Sequence, residues 1–407
     1  MHPEPSADAS PRPGRAGEVF LTFLKLGLTS VGGPIAHLGY FRDELVTRRR
    51  WVDDRAYADL VALCQFLPGP ASSQVGFALG LLRAGPAGAL AAWTAFTLPS
   101  AALLVAFAYS APLLGGVVGS GILSGLQIVA VAIVAQAVWG MARTLTPDAR
   151  RATIAVVALL IVLLVPSAAG QVAAIVVGAL TGLWLCRRGP AEAPAGLDLR
   201  VSRRAGVTAL VVFAALLAGL PILAALTSGI GVQVADSFYR AGALVFGGGQ
   251  VVLPLLEAEV VGPGGWVTAG QFLAGYGAAQ AVPGPLFTFA AYLGALAAPG
   301  AAGLATAAIA LVAVFLPGLL ILVGVLPFWN AFRTRTVAQA LMRGANAAVV
   351  GILAAALYDP VFVTAIVSPA SFALAVVCFV LLIAWRTPPW VVVVVGSAGG
   401  ILIAAVA

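Results

Sequence analysis

Residues 18–83 read EVFLTFLKLGLTSVGGPIAHLGYFRDELVTRRRWVDDRAYADLVALCQFLPGPASSQVGFALGLLR. Two apolar, helix-forming segments are interrupted here, one by Val31-Gly32-Gly33-Pro34 and the other by Leu67-Pro68-Gly69-Pro70. Glycine gives up helical order, and proline removes a donor and clashes with the preceding turn. Each interruption therefore ends one helix and begins another, so each segment is two half-helices, broken or re-entrant.

The stretch recurs. Adding 215 to the numbering carries Gly32, Gly33, Trp51, Gln65, Pro68, Gly69 and Pro70 onto Gly247, Gly248, Trp266, Gln280, Pro283, Gly284 and Pro285 without a gap. The same offset carries Lys25 onto Arg240 and Glu44 onto Glu259. So many matches at one spacing point to an internal duplication.

Composition sets the class. The 407-residue chain is 61% hydrophobic and 9% charged, with a mean hydropathy of +1.04, whereas soluble domains carry about 25% charged residues. It reads as an all-α polytopic membrane protein. The net charge of +7 does not indicate nucleic acid, because the basic residues lie between apolar runs of membrane length. Cys64, Cys186 and Cys378 are too far apart for a metal site or a disulfide framework. Residues 1–17 lack the apolar core of a signal peptide and read as a disordered cytoplasmic tail.

The first repeat is expected over 18–186. After the two broken segments come spans at 86–111 and 117–139, then a tight pair at 152–165 and 171–185. Residues 187–204 carry five arginines and two prolines and form a cytoplasmic linker. One extra span, 205–226, joins it to the second repeat, which opens near Asp236 and runs to 407. Its spans are expected at 301–326, 337–358, 361–384 and 390–407, about four per half. Gln127 and Asn346 occupy similar places in corresponding spans, and Pro99 and Pro317 kink the preceding ones.

Basic residues give the orientation. Arg42, Arg48, Arg49, Arg50 and Arg55 follow the first break, whereas the matching stretch holds Glu257 and Glu259 and no cation. If the broken segments return to the side they started from, the joining span makes an odd number of crossings and the second repeat is inverted. With the amino terminus cytoplasmic and the carboxy terminus periplasmic, all of the 22 basic residues except Lys25 and Arg240 lie inside.

Inverted repeats with helices broken at mid-depth are a transporter architecture, and half-helix amino termini there attract anions. N–H groups without helical partners are expected after each break, near residues 35–37, 71–73, 250–252 and 286–288. The candidate substrate-binding set is Gly32, Gly33, Pro34, Pro68, Gly69, Pro70, Gly247, Gly248, Gly249, Pro283, Gly284 and Pro285 at the breaks. Ser72, Ser73 and Thr288 add hydroxyls, Gln65 and Gln280 add amides, and Lys25 and Arg240 add charge. Each cation lies seven residues before a Gly-Gly break, where a charge in the hydrocarbon region calls for a function. Two cations suit one dianion. The competing reading is that each snorkels to its interface and that the breaks are packing kinks. On the functional reading, glutamine in place of either cation should abolish dianion binding at modest cost to folding, and leucine at Gly33, Gly69, Gly248 or Gly284 should block the site while leaving expression largely intact. On the competing reading these variants transport normally. His37 also stands in the substrate-binding set and could carry a coupling proton, although its match is Val252 and a packed histidine fits equally. Glu44 and Glu259 are the other proton-coupling candidates, with a solvated interfacial role the simpler one. Trp51 and Trp266 read as interfacial anchors.

At these residues the sequence resembles the chromate ion transporter family in its long two-domain form. The resemblance covers nearly the whole chain. It rests on Gly32 to His37, Arg49-Arg50-Trp51 and Leu67 to Pro70 in the first half, and on Phe246 to Gln250 and Pro283 to Thr288 in the second. It implies a bacterial inner-membrane protein that exports chromate and confers resistance to it. No cofactor is expected. A Gly-Lys-Ser/Thr nucleotide loop and a metal-ligand cluster are both missing from the sequence, so neither ATP-driven pumping nor enzyme chemistry is expected. Transport of sulfate or another oxyanion would need the same cradle, and a passive anion channel or a membrane scaffold is the rival class. The partners expected are the oxyanion and the lipid bilayer, with a homodimer allowed but not required.

Overall fold

A computed structural model describes residues 14–186, 201–246, 252–261, 265–329 and 335–406. Among these the chain is helical and contains no strand. Seven of the described helices are long and apolar enough to cross a membrane. The protein is an all-α polytopic membrane protein, as the composition predicts.

The elements run in the order of the duplication. Helix α1 (Ala16–Thr29) is followed by α2 (Gly33–Phe41), which continues as a π-helical turn over Arg42–Arg48. Helix α3 (Asp54–Phe66) begins where Asp53 accepts a hydrogen bond from the Ala56 N–H, a side-chain cap for a free first-turn donor. Helix α4 (Ala71–Ser110) is apolar over 40 residues but is not one rod. Ala84 and Gly85 leave helical geometry (Gly85 φ +64°), and the chain doubles back so that Gly80 and Gly88 pack against each other's carbonyl groups. Only the limb 86–110 has the length of a span. Then come α5 (Gly116–Leu145), α6 (Ala149–Leu164), α7 (Ala168–Leu185) and the joining helix α8 (Arg203–Leu226).

The second half repeats this. Helices α9 (Ile230–Ala243) and α10 (Val252–Val260) match α1 and α2, and α11 (Ala269–Ala281) is displaced from α3 by 215 at both ends. A short 3-10 turn (Leu286–Thr288) leads to α12 (Phe289–Leu296), Gly300 turns at φ +58°, and α13 (Ala301–Val325) matches the limb 86–110. Helix α14 (Thr336–Ala356), α15 (Pro369–Ile383) and α16 (Pro389–Val406) complete it. The spans expected at 337–358 and 361–384 do part at Asp359, whose backbone leaves helical geometry (φ −129°, ψ 119°) before Pro360. A short helical turn runs on to Ala365, and the long helix starts where Ser368 caps Pro369–Ile383. A capping serine followed by proline at the first helical position is the stronger start signal.

Ion pairs show that the first two broken segments fold back. Arg83 and Arg49 lie 3.2 and 3.9 Å from Glu18 at the start of α1, and the Gly14 N–H donates to the Arg83 carbonyl. The beginning of α1, the end of the π turn and the bend in α4 thus share one end of the molecule. At the far end of the limb 86–110, the Tyr109 hydroxyl donates to the carbonyl of Gly300, the turn between α12 and α13. The halves are also interleaved. Gly121 and Gly125 of α5 meet the backbone of α16, while Gly344 of α14 meets Gly178 and Gly182 of α7. Between helices in lipid, small residues supply the close packing that the hydrophobic effect cannot.

Close packing makes particular glycines irreplaceable. Gly80→Ala and Gly88→Ala place a methyl on an opposing backbone and should lower the melting temperature in detergent sharply. Gly140→Ala in α5, with nothing near its Cα, should hold or raise it by helix propensity of about 1 kcal/mol. Equal melting of all three would contradict the hairpin in α4.

Candidate substrate site

Three of the breaks lie among the described residues, and each is a short extended stretch closed by left-handed glycine. Ser30 ends α1 at ψ 106°, and Gly32 and Gly33 follow at φ +105° and +81°. Leu67 is extended at ψ 153°, as a residue before proline must be, and Gly69 sits at φ +118°. In the second half Val282 (ψ 134°) and Gly284 (φ +106°) repeat that shape.

The breaks of one half bond those of the other. The Gly69 N–H donates to the Val245 carbonyl at 2.7 Å, and the Gly284 N–H donates to the Ser30 carbonyl at 2.9 Å. The two bonds are the same bond moved by 215 residues, with donor and acceptor halves exchanged. A side chain would prevent either approach. A methyl on Gly69 would stand 2.9 Å from the Gly318 Cα, and one on Gly284 would stand 2.7 Å from the Ser100 hydroxyl. Gly318 and Ser100 each follow a helix-kinking proline, Pro317 and Pro99. Gln74, fully buried, donates its amide to the carbonyls of Pro68 and Gly318 and so ties the second break to the other half.

Donors collect on the first-half side. Gln74 is the first residue of α4 whose N–H finds a carbonyl, that of Pro70, so the N–H groups of residues 71–73 lack an intrahelical acceptor. Ser72 and Ser73 are buried beside them, and the Ser73 hydroxyl has no partner. His37, one turn into α2, is buried with Nδ1 at 3.5 Å from the Ser72 hydroxyl and its ring edge-on to Phe96. In the second half the Thr288 hydroxyl is taken up by the Pro285 carbonyl at 2.7 Å. Pro34 occupies the first turn of α2, and Pro70, Pro283 and Pro285 shape the breaks. Gln65 is exposed on α3, Gln280 is partly buried with its amide nitrogen unpartnered, and Gly247, Gly248 and Gly249 lie outside the described residues.

The cations are engaged within their own halves. Lys25 bonds Glu44 at 3.1 Å, and Arg240 bonds Glu259 at 2.8 Å, a matched pair of ion pairs 19 residues apart in each half. Glu44 and Glu259 are therefore not the solvated interfacial carboxylates of the sequence reading. Re-entry of the chain after each break swings them back onto α1 and α9. Glu44 also accepts from Arg49 at 2.9 Å and Arg48 at 3.4 Å, three cations on one carboxylate, whereas Arg240 meets two carboxylates, Glu259 and Asp236 at 3.1 Å. The cluster around Glu44 carries net +2 and the cluster around Arg240 net −1. Trp51 is buried under the guanidinium groups of Arg83 and Arg49, 5.3 and 5.9 Å away, so packing and cation–π contact hold it. Sequence reasoning passed over Ser30, Gln74, Ser100 and Asp236. The serines beside a Gly-Gly break and after Pro99 were its available signals, while Gln74 matches Phe289 and leaves no trace in the repeat.

A membrane bundle whose two halves meet through discontinuous helices, with free helix-start donors at the crossing, has the architecture secondary transporters use. The chain belongs to the chromate transporter family, whose model matches twice, over residues 17–183 and 232–401. It is 29% identical to the chromate transport protein of Pseudomonas aeruginosa over 97% of this chain and 93% of that one. A probable chromate transport protein of Synechococcus elongatus is 29% identical over 82% of this chain and 81% of its own length. The chromate transport protein of Cupriavidus metallidurans is 27% identical over 83% and 81%. No solved structure matches.

The glycines of the breaks divide by what they face. Gly69→Ala and Gly284→Ala meet both left-handed strain and the opposing half, so they should cost assembly, not only a site as the sequence reading had it. Gly33, with open space around it, should bear alanine at a strain of about 1–2 kcal/mol. Size-exclusion profiles and melting temperatures separate these outcomes.

Truncating the cations should also be unequal. Arg240→Gln strands two buried carboxylates, and a buried charge without its partner is strongly destabilising. Lys25→Gln leaves Glu44 with Arg48 and Arg49. Arg240→Gln should therefore lower the melting temperature by several degrees and Lys25→Gln hardly at all, and equal effects would contradict the pairing.

Proposed function

We propose that this protein is a secondary transporter that moves chromate, a tetrahedral dianion, outward across the bacterial inner membrane and so confers resistance to it. The observation that carries this reading is the reciprocal bond between breaks, Gly69 to Val245 and Gly284 to Ser30. It holds helix starts from both halves at one level of the bundle, where backbone N–H groups serve an anion without a bound cation. The family relatives named as chromate transport proteins supply the substrate.

The two repeats, 18–186 and 236–407, are taken as inverted about this crossing, with the linker 187–204 and the amino terminus cytoplasmic and the carboxy terminus periplasmic. The contacts of Glu18 with Arg49 and Arg83 at one end, and of Tyr109 with Gly300 at the other, support this arrangement. It places the net +2 cluster around Glu44 at the cytoplasmic mouth and the net −1 cluster around Arg240 at the periplasmic one. A positive mouth concentrates dianions from the cytoplasm, and a negative one opposes their return.

Energy comes from the membrane potential. One charge crossing 100 mV is worth about 2.3 kcal/mol, so a dianion leaving a negative interior gains about 4.6 kcal/mol. At about 1.4 kcal/mol per tenfold, that sustains a gradient of roughly three orders of magnitude. Proton antiport is permitted by this arithmetic and not required. In proteoliposomes with potential and pH gradient clamped separately by ionophores, chromate flux should follow the potential and persist when the pH gradient is collapsed. Flux that ignores the potential and follows pH would overturn uniport and turn attention to His37, Glu44 and Glu259. Sulfate carried in preference to chromate would reassign the substrate.

A further inference from the structure

The two crossings share a backbone but not a chemistry. At the crossing of Gly284 with Ser30, the surrounding side chains are Ser30, His37, Ser72 and Ser100, with Ser73 beside Ser72 at the start of α4. The positions 215 residues on are Val245, Val252, Phe287, Phe315 and Thr288. Those first four are fully buried, Phe287 and Phe315 pack ring to ring at 5.5 Å, and the Thr288 hydroxyl is already bonded to Pro285. One crossing is lined with hydroxyls and an imidazole. The other is filled with hydrocarbon except for Gln74, whose amide N–H groups are taken by the Pro68 and Gly318 carbonyls and whose unpartnered Oε1 is an acceptor that offers an anion nothing.

The polar crossing is also unsatisfied. The Ser30 hydroxyl, His37 Nε2 and the Ser73 hydroxyl have no hydrogen-bond partner, although the three residues are 0%, 1% and 2% exposed. The great majority of buried polar side-chain atoms have a partner, and an orphan costs the full desolvation of the group. Three such groups, linked through the His37–Ser72 contact and the free N–H groups of residues 71–73 that adjoin it, are the pattern of a seat whose guest supplies the missing acceptors.

Resting on the transport reading above, we infer that the chain has a single oxyanion seat, lying off the pseudo-two-fold axis at the first-half crossing. It is built from neutral donors: Ser30, His37, Ser72, Ser73 and the N–H groups opening α4. The second-half crossing is a packed pivot. Lys25 and Arg240 are not ligands in this arrangement, since their carboxylates already hold them. Four acceptor oxygens of a tetrahedral oxyanion match several converging hydroxyl and amide donors, and hydrogen bonds to a charged acceptor are about twice as strong as neutral ones.

The test uses full-length protein in nanodiscs, with chromate as the probe and equilibrium dialysis and melting temperature as the readouts. Ser30→Ala and Ser73→Ala should each weaken chromate binding about tenfold, equivalent to about 1.4 kcal/mol. Without chromate each should keep or raise the melting temperature, because an unpartnered hydroxyl has been removed. A merely structural serine would lower it. Val252→Ala, at the position matching His37, should leave the chromate Kd unchanged even where it lowers the melting temperature. Wild-type binding with unaltered Kd in both serine variants, or an equal loss in Val252→Ala, overturns the single seat alone. Wild-type protein that binds no chromate overturns the transport reading and the seat with it.

Discussion

Two backbone hydrogen bonds, from Gly69 to Val245 and from Gly284 to Ser30, fix how the halves of this molecule meet. Each needs a helix to stop in the interior, a glycine with φ above +100° to turn the N–H outward, and an opposing backbone close enough to answer it. In lipid an unanswered N–H or carbonyl costs several kcal/mol, so irregular backbone at depth survives only where protein covers it. The breaks satisfy each other. That mutual satisfaction explains why Gly318 and Ser100 follow prolines, and why Gln74 is fully buried with its amide divided between two carbonyls.

The same exchange of partners governs charge. Because each broken segment returns along its own path, Glu44 comes back to Lys25 and Glu259 to Arg240, and neither cation stands alone in the hydrocarbon region. Symmetry then ends. Two further arginines on Glu44 and one further carboxylate on Arg240 give the two clusters opposite signs. A duplicated scaffold thus carries an uneven field.

Much of this was legible from residues alone. The fixed offset of 215 located the breaks and the matched cation and carboxylate, because Gly and Pro impose local geometry whatever surrounds them. Pairing was not legible. Lys25 and Glu44 are 19 residues apart, a separation no helix brings together, and only the re-entrant path does so. Gln74 and Ser30 escaped for a related reason. Their roles depend on the opposite half, and a repeat argument sees only what both halves keep. The boundary at Asp359-Pro360 was legible for the same local reason that Gly and Pro mark the breaks, whereas the span start expected at 361 comes early, since a short turn through Ala365 precedes the capped start at Ser368.

The central claim is that one repeat is the other turned over about the crossing. Ala87 and Ala302, 215 residues apart and both exposed just past the turns at Gly85 and Gly300, report on it directly. Single cysteines placed there in a background lacking the three native thiols are labelled with a membrane-impermeant maleimide, in intact cells and in inside-out vesicles. The account predicts that Ala87→Cys reacts only from the cytoplasmic face and Ala302→Cys only from the periplasmic one. Reaction of both from the same face would contradict it.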